Sequence, residues 1–63
     1  MIDSLFEWME DFDNSEVSES ERIELLMYSI DDYNGEHNTD YSASHKIVAR
    51  YFAWKRDKYK PDM

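Results

Sequence analysis

Apolar residues recur at helical spacing three times along this chain, and no stretch alternates apolar and polar residues as a half-buried strand does. The first run is Ile2 to Asp13. At about 100° per residue, Ile2, Leu5, Phe6, Trp8, Met9 and Phe12 share one arc of roughly 160°, a face wide enough for two neighbours. Asp3, Glu7, Glu10 and Asp11 take the opposite side. The second run, Glu19 to Tyr33, gathers Ile23, Leu26, Met27, Ile30 and Tyr33 on its apolar arc. The third gathers Ile47, Val48, Tyr51, Phe52 and Trp54, with Tyr59 at the margin. Three amphipathic helices with short connections predict an all-α fold, a compact three-helix bundle. It would form a single helical domain over residues 1–63, with helices at about 2–13, 19–33 and 42–59.

The helix ends carry their own signals. Ser4 with Glu7 and Ser18 with Glu21 have capping-box spacing, and Asp3 is an alternative first cap. Gly35, the only glycine, stands where a left-handed cap would close the second helix. Thr39 or Ser42 would cap the third, and Pro61 follows it as a stop.

A chain of 63 residues has room for one modest core, and without cysteine no disulfide can reinforce it. Aromatic residues at 16% offset part of that weakness, because each buries roughly 150–250 Å². Self-association would offset more. No stretch approaches the about 20 apolar residues that span a bilayer. The first residues are acidic (Asp3, Glu7) where a signal peptide would be basic. The expectation is a complete, soluble, cytoplasmic protein without contact to membrane.

Charge divides the chain sharply. Residues 1–40 hold thirteen acids and one base, Arg22, for −12; residues 41–63 hold six bases and two acids, for +4. Acids near a helix C-terminus oppose the macrodipole, where each charge is worth roughly 0.3–1 kcal/mol. Glu10, Asp11 and Asp13 at the end of the first helix, and Asp31 and Asp32 at the end of the second, fall in such places. As stabilisers they make little sense; solubility or recognition explains them better. Acids three or four apart on a helix lie about 5–6 Å from one another, near the spacing of phosphates along a strand. A protein that tracks nucleic acid by charge could accept such an array as a decoy. Leu25 and Tyr28 adjoin on the acidic side of the second helix, apolar anchors within a charged rim.

The reading is a small acidic protein-interaction module, an inhibitor or DNA-mimicking decoy that binds a basic protein surface, such as that of a nucleic-acid-binding protein. Its contact residues would be Glu7, Glu10, Asp11, Glu21, Glu24, Leu25, Tyr28, Asp31 and Asp32, with Trp8 as an extension. Two alternatives stand beside it. One is a structural or assembly subunit whose broad first-helix face completes a homodimer. The other is direct nucleic-acid binding through Lys46, Arg50, Arg56 and Lys60, where cations interleave with aromatics. Against the latter, Tyr51, Phe52 and Trp54 belong to the apolar arc, and −12 elsewhere repels a polyanion.

Catalysis and cofactors find no support in the sequence. An EF-hand that places Gly35 sixth would begin at Ile30 and end at Tyr41, neither of them a carboxylate. His37 and His45 are eight apart with no cysteine to complete a metal set. No triad, phosphate-cradling loop or carboxylate dyad appears, so no enzyme activity, metal or cofactor is expected.

Overall fold

A computed structural model describes residues 2–60. It has three helices: α1 (Ile2–Phe12), α2 (Glu19–His37) and α3 (His45–Lys58), with no strand among the described residues. They run up, down and up. Phe12 of α1 meets Tyr28, while Trp8 meets Tyr33 and His37 farther along α2. The fold is the expected all-α three-helix bundle.

Each helix turns its apolar arc to one shared core. Leu5, Met9, Leu26, Ile30 and Tyr51 are fully buried, and Phe6, Tyr33 and Val48 nearly so. Ile2, Trp8, Ile23, Met27, Tyr41, Ile47, Phe52 and Trp54 pack half-buried around them. Removing a Leu or Ile from such a site costs about 2–5 kcal/mol, against a total stability of roughly 3–9 kcal/mol for a chain of this size. The core has little to spare. Ser29, a polar residue fully buried in it, donates its hydroxyl to the Leu26 carbonyl one turn back and so brings no unmet group inside.

The helix ends depart from the sequence reading in three places. The helical bonds of α1 already enclose Asp3 and Ser4, so neither acts as the cap and the Ser4–Glu7 box does not form. Ser18 does cap α2, accepting from the Glu21 amide at 3.3 Å. That helix then runs past the expected end at Tyr33, and Gly35 is an ordinary helical residue with negative φ. The left-handed cap is Asn38 (φ 54°), whose amide donates to the Asn34 carbonyl, joined by Thr39 at 3.2 Å. Asparagine tolerates this conformation better than other non-glycine residues.

Asn34 also fixes the connection that follows. Its side-chain oxygen accepts from the Thr39 hydroxyl (2.8 Å) and the Tyr41 amide (3.0 Å), and its Nδ2 donates to the Tyr41 carbonyl (2.9 Å). Tyr41 is thereby held in the connection, outside any helix, against Tyr33, ring centroids 6.0 Å apart. For this reason α3 cannot begin at residue 42. It starts at His45, with Ser44 in the cap position but making no side-chain capping bond. The expected stop at Pro61 lies outside the described residues.

Candidate interaction surface

The acids of this chain separate into those that hold the bundle together and those that face solvent. Asp13, just beyond α1, belongs to the first group. Arg22 donates to both of its oxygens, through Nε at 2.6 Å and Nη2 at 2.9 Å. Lys55 Nζ and the Tyr51 hydroxyl each donate to Oδ2 at 2.7 Å. The side chain is 3% exposed. Burial alone would raise its pKa, but donors from Arg22, Lys55 and Tyr51 overcome that and hold the carboxyl far below the usual range. The same contact drives Tyr51 the other way: burial first, then the adjacent carboxylate, push the phenol well above its ordinary value. The hydrogen bond to Asp13 outweighs burial at Arg22 and raises its pKa, and the guanidinium also lies 4.8 Å over the Phe52 ring.

Glu10 makes a second, more exposed tie. It accepts from Lys58 Nζ at 3.1 Å and from the Tyr59 hydroxyl at 2.9 Å. Burial opposes ionisation, and the Tyr59 and Lys58 donors together outweigh it, so its pKa is lowered. Together Asp13 and Glu10 explain two acids that helix-dipole reasoning left without a structural purpose: they meet α3 cations from across the fold. The dipole argument also lapses for Asp31 and Asp32. Because α2 continues to His37, both stand more than a turn before its end.

What remains for contact is a set of carboxylates without a partner. Among the described residues, Glu7, Asp11, Glu21, Glu24, Asp31 and Asp32 make no side-chain hydrogen bond or ion pair, and all but half-buried Asp32 are exposed. They are not one cluster. Glu7 and Asp11 border a shallow hollow with Ser4, Trp8, Glu10 and Lys58. Glu24 lines a different hollow with Ser20, Ile23, Met27 and His45, on the flank of α2 that faces α3. Glu21, Asp31 and Asp32 follow the outer surface of α2.

Tyr28 and Leu25 are exposed as expected, at 62% and 36%. Tyr28 is not isolated: Phe12 packs edge-on against it, centroids 6.1 Å apart, so the apolar patch crosses from α2 to α1. Sequence reading assigned Phe12 to the core arc and could not see this, because the pairing exists only once the two helices dock. Trp8 sits farther along the same seam, nearly perpendicular to Tyr33 (5.7 Å) and His37 (5.1 Å). Its Nε1 is buried with no hydrogen-bond partner among the described residues; aromatic rings that meet it edge to face can take an N–H weakly. His37 itself stacks on Tyr33 at 4.0 Å and donates Nδ1–H to the Tyr33 carbonyl at 3.2 Å.

The basic helix is largely committed inward. Tyr51 is fully buried, Phe52 and Trp54 are half-buried, and Lys58 lies 4.8 Å over the Trp54 ring. Of the aromatics beside its cations only Tyr59 is exposed, and its hydroxyl is tied to Glu10. Lys46, Arg50, Arg56 and Lys60 remain exposed, with no ion pair to a described residue.

Among the described residues no three His, Asp or Glu side chains converge as a metal-holding group, and no helix is long and apolar enough to cross a membrane. No protein-family model, curated protein or solved structure matches this chain.

Proposed function

We propose that this protein is a non-catalytic acidic interaction module that binds a protein with a basic surface. A nucleic-acid-binding protein is the target whose phosphate-reading cations would accept these carboxylates, and occupation of that surface would inhibit it. The observation that carries this reading is the apolar patch of Leu25, Tyr28 and Phe12 among acids that the fold leaves unpaired. Long-range attraction between the acids and the basic target would speed encounter, and burial of Tyr28 and Leu25 would slow release.

The test is capture from lysate at low salt, followed by competition with duplex DNA. A nucleic-acid-binding protein that the DNA displaces is the expected result. Tyr28→Ala should weaken its binding by about 2 kcal/mol, as truncation of an aromatic anchor does, while circular dichroism stays unchanged. A captured protein indifferent to both competing DNA and Tyr28→Ala would sink the proposal.

A further inference from the structure

One seam of the bundle is left open. α1 covers the Tyr33 side of α2 and the Trp54 side of α3, and Phe12 at the end of its apolar arc meets the exposed Tyr28 instead. On the far side, α2 and α3 are joined by a continuous groove of three adjoining hollows. The first is lined by Ser15, Val17, Glu19, Arg22 and Phe52. Next comes one with Glu19, Ile23, His45, Val48 and Phe52, and then one with Ile23, Glu24, Met27 and His45. The shared residues show the register: Glu19 stands level with Phe52, and Met27 level with His45, the helices running antiparallel.

The groove has an apolar floor of Ile23, Met27, Val48 and Phe52, with acids on the α2 rim and, by helical spacing, cations on the α3 rim; Arg22, which lines the first hollow, is already paired with Asp13. Glu19 and Glu24 edge the α2 wall. The α3 wall carries Arg56 one turn beyond Phe52, and Lys46 one turn before Ala49, both exposed and without ion pairs among the described residues. Leu25 points to the opposite flank of α2, about 200° from Ile23, so of the unpaired acids described above only Glu24 borders this face.

We propose that the groove is the interface of a homodimer, its occupant the same groove of a second copy. A groove with one acidic and one basic wall is complementary to itself under a two-fold axis along its length. That axis sets α2 of each copy against α3 of the other, antiparallel, and the floors meet. The register then places Glu19 opposite Arg56 of the partner subunit and Glu24 opposite Lys46 of the partner subunit, each pairing made twice. A two-fold axis across the groove would instead bring α2 onto α2 and acid onto acid. Area allows it. A standard interface of about 800 Å² per partner is roughly one sixth of the 4667 Å² surface. A short chain with a core of eight buried apolar residues and no disulfide gains from such cover.

The experiment is sedimentation equilibrium of the full chain and of two surface variants, Glu24→Lys and Lys46→Glu, each checked by circular dichroism. The wild type should weigh twice the 7.7 kDa of one chain. Each variant alone faces like charge across the interface and should dissociate at least about tenfold more readily. This holds for Glu24→Lys even though it lowers the net negative charge, the opposite of what general repulsion predicts. An equimolar mixture of the two variants should recover the dimer, because both pairings are then opposite in sign. A wild-type monomer at millimolar concentration would overturn the proposal. So would a dimer indifferent to both variants, or variants that mixing fails to rescue, either of which assigns the groove to another occupant.

Discussion

Asp13 has more to lose than any other single residue. Four donor contacts from three side chains converge on it, and two of those side chains lie on α3. Asp13→Ala leaves Arg22, Lys55 and the buried Tyr51 hydroxyl without their acceptor. With both cations about one third exposed, we expect a loss of about 3 kcal/mol in urea denaturation, the lower end for a broken buried pair. The sign of its pH dependence follows from its lowered pKa. The stabilisation is complete above the ordinary carboxylate value of 3.8 and is lost as pH falls below that toward the folded value. Wild-type stability should therefore drop steeply below about pH 4, and Asp13→Asn should flatten that drop while lowering stability at neutral pH. Equal acid sensitivity in the two proteins would place the titrating group elsewhere.

At the level of the helix, what could be read from sequence was what local spacing encodes. The arcs Leu5–Phe6–Met9, Leu26–Ile30–Tyr33 and Val48–Tyr51 are the core because burial follows periodicity along one helix, and Ser18 caps because its acceptor and Glu21 are three residues apart. The end of α2 was not legible in this way. A lone glycine suggested the cap, but Asn34, Asn38 and Tyr41 decide it through bonds that exist only when the connection folds back. Gly35 consequently sits in mid-helix with negative φ, and a Cβ added there meets nothing within 4 Å. Gly35→Ala should stabilise the protein by about 0.5–1 kcal/mol by removing backbone freedom from the unfolded chain. A thermal melt that falls on this substitution would mean that the position needs glycine after all.

For the molecule as a whole, the division of charge was plain in the sequence, but the division of labour among the acids was not. Glu10 and Asp13 meet partners on α3 and its cap 38 to 49 residues away, beyond the reach of any helical-spacing rule. Nothing local distinguishes them from Glu7 or Asp31, which face solvent unpaired. That unpaired surplus should make the fold respond to salt. The molecule measures 39 × 27 × 19 Å. Its carboxylates sense one another across nearly its full width at about 0.01 M salt, where the Debye length is about 30 Å, and only locally at about 0.15 M, where it is about 8 Å. Melting temperature should rise over that range by about 5 °C, equivalent to roughly 1 kcal/mol for a domain of this size. A fall would show that the Asp13 and Glu10 ties outweigh the repulsion.

The order of the helices matters during synthesis. Translation delivers residues 1–40 first, with α1, α2, twelve net negative charges and, in Arg22, a single cation. Tyr51, Lys55 and Lys58, the groups that close Asp13 and Glu10 onto the core, are made after them. A nascent chain halted before α3 thus holds two amphipathic helices with six of the eight buried apolar residues of the core but without the cations that offset their repulsion, which favours a looser state. The Asp13 and Glu10 ties to α3 can close only when the basic helix has emerged, and until then these acids stand without their partners there.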